Sequence, residues 1–415
     1  MLSKTINSII SERDLLASGR PKDSDVEYVK GDGALLYDAA GKRYINLFEI
    51  IACLGENNET FLSYMQDALL KVLSMHGNDL HYKRELLNYM METTNYDFDR
   101  VLFTSSGSEA VEWAVKAAKK MTGRSEVITF WNSIHGRTHF SASMSGLPRR
   151  KTGYAPSSPG IIFQPYPDCL RCSFSRSPDN CDFYCLEFLD KKVEFESTQD
   201  IAAVLIEPYQ AEGNTFPPEG FLSALKKWAD KKGAMLIFDE IQSGMGRTGK
   251  NMYRYQSENV KPDMLLLGKA FGNGLHMSAF MVKGEIEQKD VPAMAGGSGD
   301  CVLGCAAACA VYKELLDNGL MAHIKETGDY FKAGLMKLKA EYDKIAQVRG
   351  EGLALAVDFN DGKFSDKLFE HMKDNGLIPA RNKTSIVFKP PYSITKAQVD
   401  EVLQIIADFL ACAHI

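Results

Sequence analysis

Hydrophobic and polar positions follow different rhythms in successive parts of this chain. From residue 26 to 47 they tend to alternate, around turns at Gly31-Asp32-Gly33 and Ala39-Ala40-Gly41, which predicts short strands. From about 58 to 95 the apolar residues recur at helical spacing. The middle of the chain alternates strand and helix. Mostly apolar runs at 101–103, 126–130, 201–206, 234–238, 263–267 and 278–282 read as strands, and stretches at 109–121 and 218–232 as helices. This βαβ rhythm predicts an α/β fold whose mostly parallel sheet is covered on both faces. A long helical pattern follows from about 303 to 343, then alternating segments at 346–358 and 384–389 and a closing helix at 395–412. These predict a smaller α+β domain. The expected division is 1–50 as an N-terminal segment joining the small domain, 51–314 as the large domain and 315–415 as the C-terminal small domain. The N-terminal strands are assigned to the small domain because a short strand pair needs a sheet to be stable.

Composition narrows the function classes. The chain has 415 residues, 45% of them hydrophobic, which is ample for a large core. Its net charge is −6, and apart from Arg149-Arg150-Lys151, read as a solvated loop, no basic cluster suggests nucleic acid. No apolar run reaches the length of a membrane span, and the first residues lack a signal-peptide core. A soluble cytoplasmic protein, with no membrane or nucleic-acid partner, is the expectation.

Candidate chemistry sits where apolar runs give way to glycine-rich loops. Asp239 ends the run Ala234–Phe238, and Lys269 follows Met264-Leu-Leu-Leu-Gly268. In an open α/β sheet, ligands bind at the carboxyl ends of strands. An amine there can form a Schiff base with an aldehyde cofactor, and a carboxylate can pair with a protonated ring nitrogen. That division of labour is the one pyridoxal phosphate (PLP) needs. Taken alone, either residue is more often a helix cap or a solvated charge.

Three more loops bear on the choice. Ser106-Gly107-Ser108 precede a helix and would present backbone N–H groups to a phosphate, although Ser106 with Glu109 also reads as a plain N-cap. His135, in Ser133-Ile-His-Gly-Arg-Thr138, could orient or cover a ring, or be a turn histidine without a ligand. Glu207 and Glu212, in Glu207-Pro-Tyr-Gln-Ala-Glu-Gly213, could stabilise an arginine or hold a proton, or belong to a polar loop.

Taken together, the blocks resemble the class III aminotransferases, a fold type I, PLP-dependent family that includes ornithine, 4-aminobutyrate and other ω-amino transaminases. The matching blocks are Ser106-Gly-Ser-Glu-Ala-Val-Glu112, His135-Gly-Arg-Thr138 and Glu207-Pro-x-Gln-x-Glu-Gly213. Then come Asp239-Glu-x-Gln-x-Gly244, Gly246-Arg-Thr-Gly249, Pro262-Asp263, Gly268-Lys269 and Gly272-Asn-Gly274, in family order. With Gly31-x-Gly33 and Pro390-Pro391 they span nearly the whole chain. The resemblance implies that Lys269 is the Schiff-base lysine and proton shuttle, and that Asp239 keeps the pyridine nitrogen protonated. It implies a phosphate cradle at Gly107 and Ser108, contact of Gln242 with the phenolic oxygen, and Glu212 holding a switching arginine. It also implies a homodimer with sites at the interface and a partner loop completing each phosphate site.

Three positions depart from the family pattern. Ile134 stands where a stacking Phe or Tyr is usual, so the ring would be covered by dispersion without a π contact. In the partner loop the usual Thr position falls on Gly297, leaving neighbouring Ser298 to supply a hydroxyl. Val387 stands where an arginine often forks a substrate carboxylate, with Arg381 and Lys389 as the candidate substitutes.

Nine cysteines make an odd count. Cys301, Cys305 and Cys309 have helical spacing and read as packing residues. Cys169, Cys172, Cys181 and Cys185 fall in an insertion at about 165–190 whose prolines argue a loop. Two closely spaced pairs suit a structural zinc or iron–sulfur centre, and two disulfides or four free thiols are the alternatives. The resulting expectation is an aminotransferase taking small-molecule amine and carbonyl substrates in ping-pong fashion, with a terminal or ω-amine as donor. The rivals are a PLP-dependent aminomutase, racemase or decarboxylase, and a non-catalytic relative, which would be expected to have lost the lysine or the acid.

Overall fold

A computed structural model describes residues 26–73, 81–153, 157–284 and 301–412. The chain opens with an antiparallel meander, β1 (Tyr28–Asp32), β2 (Leu35–Asp38) and β3 (Arg43–Asn46). Two helices follow, α1 (Glu59–Leu69) and α2 (His81–Thr93). Asn58 caps α1 by accepting from the Phe61 amide at 2.8 Å.

The central sheet is built from β4 (Arg100–Thr104), β5 (Glu126–Phe130), β6 (Ile161–Gln164), β7 (Ile201–Ile206), β8 (Met235–Asp239), β9 (Met264–Leu267) and β10 (Ser278–Val282). Its order is β4-β10-β9-β8-β7-β5-β6. Neighbouring strands from β9 to β6 pair in parallel, and β10 runs antiparallel to both β4 and β9. The connections hold α3 (Gly107–Thr122), α4 (His139–Met144), α5 (Tyr184–Glu196) and α6 (Phe221–Lys232). Every residue of β7 is buried because both faces of the sheet are covered. Ala203 and Leu205 join the cluster formed with Val111, Ala114 and Ala118 of α3, and Val204 and Ile206 the larger core with Leu222 and Leu225 of α6. The short strand β6, between Pro159-Gly160 and Pro165, is not anticipated by the apolar pattern.

The pattern from 303 to 343 resolves into two helices, α7 (Val302–Leu316) and α8 (Leu320–Glu341). Gly319, at φ 76°, takes the left-handed turn that separates them. Beyond lie β11 (Ile345–Glu351), β12 (Ala354–Phe359), α9 (Gly362–Asp374), β13 (Leu377–Ile378), β14 (Ala380–Asn382), β15 (Ser385–Phe388) and α10 (Lys396–Cys412). Strands β11-β12-β15-β14 form an antiparallel sheet, and β13 pairs in parallel with β3. Among the described residues, no helix is long and apolar enough to cross a membrane.

Candidate active site

Strand register brings distant positions to one edge. β8 and β9 pair in parallel with Asp239 opposite Leu266, so Asp239 and Lys269 lie at adjacent strand ends although thirty residues separate them. β7 flanks β8, with Ile206 opposite Phe238, so Glu207 emerges at the same edge. The loop after β5 brings Ile134 and His135 there. β4 is antiparallel to β10, and its Thr104 pairs with Ser278 where β10 begins, so Ser106–Ser108 join the set. Five carboxyl ends thus supply one site, as the open-sheet rule leads one to expect.

Lys269 turns out of β9 at φ 50°, a left-handed conformation that costs a non-glycine residue about 1–2 kcal/mol. Its Nζ donates to Gln242 Oε1 at 2.9 Å. Burial holds its pKa below the ordinary lysine value, against the opposing pull of Asp239 and Glu207. Asp239 is buried and its Oδ2 lies 2.8 Å from His135 Nδ1, so the imidazole fixes the carboxylate's orientation. Glu207 is also buried: its Oε1 accepts from the Ile134 amide at 2.8 Å and its Oε2 from the Ala211 amide at 2.7 Å. Burial, with Asp239 nearby, pushes its pKa up to about 7.

Ser106 does cap α3, its Oγ accepting from the Glu109 amide at 3.3 Å, while Glu109 Oε2 accepts from the Ser105 amide at 2.9 Å. The capping leaves Gly107 and Ser108 in the first turn, at the positive end of the helix dipole. Ser108 Oγ accepts from the Arg137 amide at 3.0 Å and ties this turn to the His135 loop. Two positions there have no room for a side chain. A Cβ on Gly107 would lie 2.8 Å from Ile241 Cδ1, and one on Gly136, at φ 148°, would collide with Ser141 Oγ.

The donors fit a phosphorylated pyridine aldehyde. His135 Nε2 and Gln242 Nε2 are buried and lack a hydrogen-bond partner among the described residues, and buried polar atoms seldom stay so without a ligand or water. An acid, an amine and a helix N-terminus lie at the same sheet edge.

Other expected residues fall elsewhere. Arg381 does not join this group: its guanidinium pairs with Asp366 of α9 and lies 5.5 Å from the Phe369 ring centre, because β14 turns it toward that helix. Lys389 is buried, its Nζ donates to Ala211 O at 2.6 Å, and burial holds its pKa well below the ordinary lysine value. Val387 is buried in β15. Glu212 holds an arginine, and it is Arg149, at 2.7 Å. The sequence carried no signal of that pairing beyond the basic triplet itself. Ser298 lies outside the described residues.

The metal expectation is not supported. Cys169, Cys172, Cys181 and Cys185 are free thiols lining one cavity of about 310 Å³ with Phe174, Phe183 and Pro218. Among the described residues no group of three or more His, Cys, Asp or Glu side chains is arranged to hold a metal ion.

The family model described as Aminotransferase class-III matches residues 18–410. Leucine/methionine racemase of Thermococcus litoralis is 30% identical over 408 residues, covering 92% of this chain and 91% of that protein. Acetylornithine aminotransferase of Clostridium acetobutylicum is 30% identical over 395 residues, covering 92% and 95%. Among solved structures, taurine:2-oxoglutarate aminotransferase from Bifidobacterium kashiwanohense, in complex with PLP and glutamate, superposes with a TM-score of 0.89 at 25% identity, covering 98% of this chain and 97% of that one.

Proposed function

Because the chain belongs to the class III aminotransferases, of fold type I, we propose that its strand-end site moves a terminal or ω-amino group from an amine donor to a keto-acid or aldehyde acceptor, with PLP as carrier. Bound PLP supplies an aldehyde that takes up the amine and a ring that withdraws electrons from the substrate carbon. Lys269 is the amine that holds the cofactor and, once displaced, moves the proton at the substrate carbon. Its lowered pKa favours the neutral, basic form this needs. Asp239, oriented by His135, faces the ring nitrogen, and Gln242 offers its unpaired Nε2 to the phenolic oxygen. Gly107 and Ser108 hold the phosphate through first-turn amides, and Ile134 covers the ring.

The observation that carries this reading is the meeting of Asp239 and Lys269 at adjacent parallel strand ends. Purified holoenzyme given an ω-amine alone should lose its aldehyde absorbance and release a stoichiometric carbonyl product, and a keto acid should restore the spectrum. No shift with any donor in a broad amine panel would refute it.

A second reading, racemisation, is favoured by the 30% identity to leucine/methionine racemase. It needs no acceptor, so conversion of one enantiomer to a racemate without keto acid would establish it. In either reading the active form is a cytoplasmic homodimer. The exposed apolar side chains of Leu69, Leu70, Val72 and Leu73 support a subunit contact. Sedimentation velocity tests the dimer.

A further inference from the structure

Cys169, Cys172, Cys181 and Cys185 are free thiols on one cavity, and the reaction outlined above has no use for them. They are not equivalent. Leu170 and Arg171 form a turn, so Cys169 and Cys172 stand at its two ends. The ends of such a turn lie within about 7 Å of each other, the limit a disulfide can bridge. Both thiols are half-buried and open to a small oxidant, whereas Cys185 is buried in the first turn of α5. Burial pushes the Cys169 thiol above its ordinary pKa, which leaves the first attack to Cys172.

A chain of charges joins this turn to the active-site edge. Arg171 Nε donates to Asp168 Oδ2 at 2.9 Å, and its Nη1 to Asp358 Oδ1 of β12 at 3.1 Å. Asp358 also pairs with Arg349 of β11. Arg349 in turn donates through Nη2 to Gly213 O at 2.6 Å and through Nε to Asn214 O at 3.2 Å. Those carbonyls belong to the loop that begins at Glu207, in which Gln210 and Thr215 exchange backbone hydrogen bonds of 2.8 and 3.2 Å.

We propose that Cys169 and Cys172 form a reversible thiol–disulfide site, and that Arg171, lying between them, carries its state to the loop at 207–215. The oxidant is a small-molecule disulfide. The Cys172 thiolate attacks one of its sulfurs and releases one thiol, leaving a mixed disulfide. The Cys169 thiolate then attacks the Cys172 sulfur and releases the second thiol. Two cysteines are oxidised, one disulfide is reduced to two thiols, and the two protons lost by the cysteines end on the released thiols. The bridge draws the two Cβ atoms to about 4 Å, reshapes the turn and takes Arg171 off Asp358. Asp358 then draws Arg349 more strongly, away from the carbonyls of Gly213 and Asn214, and the loop is held less firmly. A bridge in a partly exposed turn is of the labile kind that thiols reverse.

The test treats holoenzyme with oxidised glutathione, maps disulfides by peptide mass spectrometry and follows amide hydrogen exchange with and without dithiothreitol. Neither readout depends on the aminotransferase reading. A Cys169–Cys172 bridge should form and be reversed by dithiothreitol. On oxidation, exchange in the 207–215 peptide should quicken about two- to fivefold, the range a partly exposed ion pair is worth. Cys169→Ser/Cys172→Ser should lose this response. Arg171→Ala should show the faster exchange already when reduced, with no further change on oxidation. No bridge, a bridge between another pair of these cysteines, or a bridge that leaves exchange at 207–215 unchanged would overturn the proposal. So would the same response in Cys169→Ser/Cys172→Ser. Should the variants fail to fold, the mapping and exchange of wild type decide.

Discussion

Replacing Glu207 with glutamine tests the electrostatics at the sheet edge. The two amides that donate to its carboxylate, from Ile134 and Ala211, favour the ionised form, yet burial and the neighbouring Asp239 outweigh them. The carboxyl therefore titrates at about 7 in place of its ordinary 4.5. A group whose pKa rises on folding binds its proton more tightly in the native state. Its contribution is neutral below about pH 4.5, becomes increasingly destabilising up to about pH 7, and is constant above that. The gap corresponds to about 3 kcal/mol. Glu207→Gln removes the ionisation and loses one acceptor for the two amides, a cost of about 1–3 kcal/mol that does not vary with pH. The stability of wild type relative to the variant should therefore drop by about 3 kcal/mol between pH 4.5 and 7, whatever its absolute value. Urea denaturation of both proteins, followed by circular dichroism at closely spaced pH values, measures that difference. A difference that stays constant across the window would refute the assignment.

Lys269→Ala should lower turnover by about a thousandfold or more, within the range of a lost general base combined with a lost attachment point, and abolish the absorbance of covalently held cofactor. Asp239→Asn should fold, because the amide is nearly isosteric, yet lower kcat by about a hundredfold or more, as read in steady-state assays. Gly136→Ala places a methyl group against Ser141 Oγ and 2.8 Å from Ser108 Oγ at φ 148°, and should destabilise by about 1–3 kcal/mol, measured as a lower Tm. Asp358→Ala removes the carboxylate shared by Arg349 and Arg171. Because Arg349 is largely buried, the loss should be about 3–5 kcal/mol by denaturation. A loss near zero would show that the carbonyls of Gly213 and Asn214, to which Arg349 also donates, suffice to hold it.

Much of the site was legible because its motifs are local. Ser106–Ser108, Ile134-His135, Glu207, Asp239-Gln242 and Lys269 each follow an apolar run directly, so predicting the strands already predicts that these residues stand at strand ends. The parallel alternation of strand and helix then puts those ends on one edge. The strand β6 was missed because a four-residue segment between prolines and glycine carries too little pattern to distinguish it from a loop. The break between α7 and α8 was missed because helical periodicity continues in register across Gly319.

Partner choice among charged side chains was not legible in this way. Arg381 was the first sequence candidate for an anion site and Lys389 the second, and the structure separates them: β14 turns Arg381 to Asp366, while Lys389, at the end of β15, is buried with its Nζ on Ala211 O. Glu212 was expected to hold an arginine, and the one it holds is sixty-three positions away in a turn that read as solvated. The four cysteines were close enough in sequence to suggest a metal, but they line a cavity wall. By itself the sequence determined the strands, the order of the loops and the acid and amine that head two of them, since each depends on residues a few positions apart. Which of these charged side chains is buried, and which pairs at the surface, was decided by tertiary structure alone, because the burial and the partner of a long charged side chain depend on elements that meet only when the sheet and the C-terminal strands pack together.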